Sequence, residues 1–319
     1  MTQVRATNWI DPQALMRIKN LQLRAKFVVE GFNSGLHRSP YHGFSVEFSE
    51  YREYSPGDDP RYVDWRLLAR SDRYYIKRFE DETNLRCYLL VDLSRSMGFG
   101  TAGLKAGGWN KADYARTVAA TLAYFLSQQR DAVGAVTFGE RIVEYLAARH
   151  RPGHLRRLML CLERALAGES TDLAAPLEQI ARIVRKRSLV VLVSDMLAPL
   201  DALTRQLGYL RSRGHEVIVM QTLDPAEVDF NFQEEARFVD LESGRELYVD
   251  PAAARRGYLA QFSAHCEAIR QTCRDLGIDF TQLRTDRPLE QALFDFVRLR
   301  GRGTGRAARA RRGPGRRYA

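Results

Sequence analysis

The chain has 319 residues, 45% hydrophobic and 28% charged, which suffices for two modest domains or one large domain with an extension. No apolar run approaches the roughly 18 residues of a membrane span, and Met1-Thr-Gln-Val-Arg-Ala-Thr-Asn-Trp9 lacks an apolar export core, so the expected compartment is the cytoplasm. The net charge of +10 sits in the tail: residues 300–319 hold eight Arg and no acid, and removing those eight from the 49 Lys and Arg leaves 41 basic against 39 acidic residues, a nearly neutral body.

Residues 12–30 place Leu15, Ile18, Leu21, Leu23 and Phe27 at helical spacing behind Asp11-Pro12, a cap and first turn, with Gly31 and Gly35 ending the helix. Over 41–54, Phe44, Val46 and Phe48 alternate with Ser45, Glu47 and Ser49, a half-buried strand. Ser55-Pro-Gly-Asp-Asp-Pro60 is a turn, a short amphipathic piece follows over 62–69, and residues 74–79 read as another strand.

From residue 86 strands and helices alternate, the pattern of a parallel sheet with helices on both faces. The expected strands are 86–92, 132–138, 141–146, 188–194, 216–222 and 278–283. The third follows the second too closely for a crossover and must pair antiparallel. Helices are expected at 111–129, 153–167, 173–186, 199–213, 252–276 and 288–299, with a surface hairpin around Glu242-Ser-Gly-Arg245. Cys87, Cys161, Cys266 and Cys273 fall in apolar patterns and read as core, and no zinc-binding spacing occurs. The tail, built from Gly, Ala and Arg, buries little apolar area and is expected to lack order.

The most informative stretch is Cys87-Tyr-Leu-Leu-Val-Asp92-Leu-Ser94-Arg-Ser96-Met97, an apolar strand ending in one carboxylate and two hydroxyls. Ligands gather at the carboxyl ends of parallel strands, and hard oxygens of this kind suit Mg²⁺ or Mn²⁺. The spacing resembles the metal-ion-dependent adhesion site of von Willebrand factor A domains. That resemblance implies two further pieces, and both occur: Thr171 in Gly168-Glu-Ser-Thr171-Asp-Leu, and Asp195 closing Leu189-Val-Val-Leu-Val-Ser194-Asp195. It implies metal ligation by Asp92, Ser94, Ser96, Thr171 and Asp195. Many such domains carry Gly after the last Asp; Met196 here is expected to restrict how closely a partner approaches the ion.

A second motif precedes it: Pro56-Gly57-Asp58-Asp59-Pro60-Arg61-Tyr-Val-Asp64-Trp65-Arg66-Leu-Leu-Ala69-Arg70. With an A-like domain behind it, the chain resembles the bacterial and archaeal family called domain of unknown function 58, over about residues 30–299. The expected division is an N-terminal helix and β extension over 1–83, a von Willebrand factor A-like α/β domain over 84–299, and the tail over 300–319. Members are often encoded beside MoxR-type AAA+ ATPases, which the resemblance implies as the protein partner. Asp58, Asp59, Arg61, Asp64, Trp65 and Arg70 admit two readings, an ion-pair network holding the N-terminal strands, since Arg forks match carboxylates, or a partner surface. No Gly-x-x-x-x-Gly-Lys-Ser/Thr phosphate loop and no Gly-x-Ser-x-Gly elbow occurs. The expectation is a non-enzymatic, metal-dependent protein-binding module. The alternatives are a nucleic-acid-associated protein using the Arg-rich tail and a metal-dependent hydrolase built on Asp92 and Asp195.

Overall fold

The computed structural model describes residues 10–36, 50–53, 74–78, 85–101, 108–166, 173–232, 236–239 and 244–311. The chain divides into a larger compact unit from residues 1–34 and 85–319 and a smaller one from residues 35–84. The N-terminal helices therefore belong with the larger unit, where the sequence had grouped them with the strands that follow.

The periodicity over 12–30 resolves into two helices, α1 (Pro12–Met16) and α2 (Leu21–Leu36). Asp11 caps the first, accepting from the Gln13 amide at 3.0 Å. The break has a local cause. The Arg24 guanidinium donates to the Ile18 carbonyl at 2.7 Å, and the Asn20 side chain accepts from the Leu23 amide at 2.8 Å, starting the second helix. The interruption rotates the apolar face: Leu21, Ala25, Val28, Val29 and Phe32 are buried, whereas Leu23 and Phe27 are each 43% exposed. In the smaller unit, β1 (Glu50–Glu53) pairs antiparallel with β2 (Tyr75–Arg78), Glu50 opposite Arg78. The rest of the strand expected over 41–54, the turn at 55–60 and the piece at 62–69 lie outside the described residues.

The larger unit is built on a six-stranded sheet of β3 (Arg86–Asp92), β4 (Ala132–Phe138), β5 (Ile142–Arg149), β6 (Leu189–Ser194), β7 (Glu216–Leu223) and β10 (Asp279–Arg284), with β8 (Ala236–Val239) and β9 (Glu246–Val249) forming a separate hairpin. The order is β10-β7-β6-β3-β4-β5. All neighbours run parallel except β4 and β5, where three residues between the strands leave room only for a reversal. This is the mostly parallel α/β architecture expected from the alternation of elements. β6 is buried along its whole length and β3 at every position after Arg86, as strands covered on both faces must be.

The covering helices are α3 (Lys111–Gln128), α4 (His154–Leu162), α5 (Ala174–Ile183), α6 (Leu200–Ser212), α7 (Pro225–Asp229), α8 (Pro251–Asp275) and α9 (Leu289–Arg311). One core face gathers Leu90, Val136, Phe138, Val190, Leu192 and Val219 from the sheet with Leu177, Leu207 and Ile269 from helices. Each such side chain contributes about 1.5–3 kcal/mol by leaving water. Gly134 is required where β4 passes the irregular edge. A Cβ there would lie 2.7 Å from the Ala148 nitrogen and the Leu146 oxygen. All four cysteines are buried and unpaired. The last helix continues to Arg311 rather than stopping at 299; Ala and Arg favour helix enough to carry it through three interspersed glycines, and Gly313-Pro314 follows.

Candidate metal centre

The parallel register of β3 and β6 sets Val91 opposite Val193, so both strands deliver their polar ends to one point. Beyond Asp92 the chain closes into a single 3-10 turn, Arg95–Gly98. Asp92 Oδ1 accepts from the Ser94 amide at 2.9 Å and Oδ2 from the Ser194 hydroxyl at 2.6 Å. The Ser94 and Ser96 hydroxyl oxygens lie 3.2 Å apart. Asp92, Ser94, Ser194 and Asp195 are fully buried. The structure thus brings together Asp92, Ser94, Ser96 and Asp195 at the carboxyl edge of the sheet.

Asp195 is held from several sides. Its Oδ2 accepts from Lys111 Nζ at 2.8 Å, its Oδ1 from the Leu197 amide at 3.1 Å, and its carbonyl from Gln221 Nε2 at 3.1 Å. Met196 follows in a left-handed conformation, φ 59°, which costs a non-glycine residue about 1–2 kcal/mol. That cost is offset on both sides: the Ser194 hydroxyl oxygen accepts from the Met196 amide at 3.0 Å, and His265 Nε2 lies 3.0 Å from the Met196 carbonyl, which fixes it as the donor. The Met196 side chain is fully buried in the core cluster. It occupies the interior behind the site, so the restriction expected from its bulk does not arise.

Lys111 and Glu227 belong to the site and were not singled out by the sequence. Lys111 opens α3, where Asn110 and Asp113 form a capping box. Its side chain is fully buried and bridges Asp195 to Glu227, with Nζ 2.5 Å from Glu227 Oε1. Burial alone would lower the ammonium pKa; the two carboxylates outweigh it and hold Lys111 above its ordinary range. Glu227 is fixed in turn by the capping box of α7, its Oε2 accepting from the Asp224 amide at 2.8 Å. Asp224 also accepts from the Thr101 amide at 2.8 Å, anchoring the loop that leaves the 3-10 turn. Gly100 lets that loop press on the start of α3: a Cβ there would meet the Trp109 oxygen at 2.4 Å. The Asp224-Pro-Ala-Glu227 capping pattern is the sequence signal that could have marked Glu227; nothing local marks Lys111 as buried.

Burial and the nearby Asp195 charge push the Asp92 carboxyl up to about 6, against the opposing hydrogen bonds from Ser194 and Ser94. Among the described residues its hydrogen bonds come from neutral donors alone. A buried carboxylate beside a second carboxylate and two converging hydroxyls, without a cation of its own, is a donor set that fits a hard divalent ion. No group of three or more His, Cys, Asp or Glu side chains is placed to hold a metal among the described residues, so an ion bound here would need the Ser94 and Ser96 hydroxyls. Thr171, Asp58, Asp59, Arg61, Asp64, Trp65 and Arg70 lie outside the described residues.

A mostly parallel α/β sheet with carboxylate and hydroxyl side chains at the ends of its two central strands defines the class of protein. The chain belongs to the family described as "Protein of unknown function DUF58", whose model matches residues 50–268. An uncharacterized protein of Mycobacterium tuberculosis is 31% identical over 298 residues, covering 92% of each chain. Among solved structures, the conserved hypothetical protein BatB from Bacteroides thetaiotaomicron covers 67% of this chain and 99% of its own at 9% identity and a TM-score of 0.42. The SpRpn10 VWA domain covers 66% and 94% at 11% identity and a TM-score of 0.38. Among the described residues no helix is long and apolar enough to cross a membrane.

Proposed function

We propose that the chain is a non-enzymatic protein-binding module that works with a divalent ion, Mg²⁺ or Mn²⁺. Asp92, Ser94, Ser96 and Asp195 would hold the ion, with Thr171 as the further hydroxyl that the von Willebrand factor A resemblance implies. Once bound, the ion supplies an electrophilic centre for a partner's carboxylate. The observation that carries the reading is the buried Asp92 carboxylate, which faces Asp195 and receives only neutral donors among the described residues. Lys111 neutralises part of the Asp195 charge and fixes its orientation, and two hydroxyls complete the donor set without adding charge. Neutral ligands leave an ion more electrophilic than an all-carboxylate shell does, which favours capture of an external carboxylate.

The partner that the family resemblance suggests is a MoxR-type AAA+ ATPase, in a chaperone-like or maturation role. The test is a pull-down of a MoxR-type ATPase from the same organism by the tagged full-length protein. Retention in Mg²⁺, lost both in EDTA and with Asp92→Asn, is the expected result. Retention that survives both would place the interface elsewhere.

A further inference from the structure

Next to the ion ligands lies a cavity of ≈ 410 Å³ lined by Phe99, Glu227, Phe230, Phe238, Leu247 and Tyr258 among others. Its walls come from the loop after the 3-10 turn, from α7 and α8, and from the β8–β9 hairpin. Phe230, Phe238 and Tyr258 brace one another, with centroids 6.0 and 4.5 Å apart. Leu247, on the outer wall, is 65% exposed, so the cavity opens to the surface along the hairpin. The size falls at the low end of ligand pockets, about 300–1,000 Å³, and suits one or two large side chains.

Cavity and ion site share a wall. Glu227 lines the cavity, and the single ammonium of Lys111 joins it to Asp195, at 2.5 and 2.8 Å. Phe99 lines the cavity too; its amide donates to the Ser96 carbonyl at 3.1 Å, and Lys111 Nζ lies 5.9 Å from its ring centroid. Phe99 thus joins the serine turn directly to the cavity wall. Arg95, exposed between the two serines, favours an acidic approach.

We infer that the cavity is the second half of the partner surface and takes a bulky apolar side chain, Leu, Met or Phe, from the same acidic segment whose carboxylate reaches the ion. Asp195 Oδ2 and the cavity-lining Glu227 Oε1 lie 2.8 and 2.5 Å from the one Lys111 Nζ, so at about 3.3–3.6 Å per extended residue the two groups are separated by about one to three positions. The inference rests on the proposed ion-dependent binding; the cavity adds the apolar requirement. A bare carboxylate on an ion is a weak and unselective contact, and a filled aromatic pocket supplies both affinity and choice of partner.

The experiment is selection of a displayed random-peptide library on the immobilised full-length chain in millimolar MnCl₂. Parallel selections use EDTA, Ala254→Trp and Ala226→Phe. Both alanines line the cavity, and the two variants fill it from different helices, so failure of one to fold leaves the other. Enrichment of Asp or Glu together with Leu, Met or Phe about one to three positions away is expected on the wild type. The filled variants keep the acidic preference and lose the apolar one. Replacing the apolar residue of a selected peptide by Ala weakens Kd by about 10- to 100-fold, the worth of one buried large side chain. Acidic enrichment alone, no enrichment, or an apolar preference unchanged in both filled variants overturns the inference. Apolar enrichment that is identical in MnCl₂ and EDTA, without an acidic residue, instead sinks the ion-dependent reading and leaves the cavity standing as a site.

Discussion

Replacing Asp92 by Asn should stabilise the protein in the absence of metal. The folded-state carboxyl is raised from 3.8 to about 6 by burial and by Asp195. The folded state therefore holds this proton more tightly than the unfolded chain does. The stabilising contribution is fully present below pH about 4 and is lost as pH rises through about 6. A shift of about two units at ~1.4 kcal/mol each makes the ionised Asp92 a burden of about 3 kcal/mol at neutral pH. Asn removes that burden. Its carbonyl can still accept from the Ser94 amide, but its amide replaces the oxygen to which the Ser194 hydroxyl donates, so that O–H loses its acceptor. Losing that hydrogen bond costs about 1 kcal/mol. The net expectation is a gain of about 2 kcal/mol for Asp92→Asn in EDTA at pH 7.5, shrinking toward zero or below at pH 4.5. Urea unfolding followed by tryptophan fluorescence reads this directly, since Trp109 is buried and donates to the Thr285 carbonyl at 3.1 Å. Destabilisation of Asp92→Asn in EDTA at pH 7.5 would mean that the carboxylate is not uncompensated, and the reasoning would fail.

Lys111→Met should cost about 3–5 kcal/mol in EDTA, because it leaves Asp195 and Glu227 without their shared cation; urea midpoints measure it, and an unchanged midpoint would refute the bridging role. Gly134→Ala should destabilise by roughly 1–3 kcal/mol or more, the cost of forcing a methyl against strand backbone; thermal melting checks it. Ser94→Ala should weaken Mn²⁺ binding without abolishing it, since the remaining donors stay in place; calorimetric titration separates partial from complete loss. Truncation after residue 300 should leave Mg²⁺-dependent partner retention unchanged. Should it instead abolish strongly salt-dependent RNA or DNA binding, the tail would have the nucleic-acid role.

The sheet was legible because its strands are short apolar runs at regular spacing, and the antiparallel edge followed from the three residues before β5. The placement of Asp92, Ser94, Ser96 and Asp195 at one edge of the sheet was legible from two apolar strands with polar ends, read together with the A-domain resemblance. Lys111 was not. A lysine at the first turn of a helix reads as solvated, and only the fold brings two carboxylates to it. The break between α1 and α2 was also hidden, because the apolar spacing runs through it; the capping of Asn20 and the reach of Arg24 back to Ile18 decide it. The aromatic cavity depends on residues from Phe99 to Tyr258, a separation no local pattern reveals.

Titration of Mn²⁺ into the EDTA-stripped full-length chain by calorimetry, beside Asp92→Asn, tests the ion-binding claim most directly. One saturable site in the wild type, absent in Asp92→Asn while that variant melts at least as high without metal, is the expected result. No binding at millimolar Mn²⁺, or equal binding by both proteins, would contradict it.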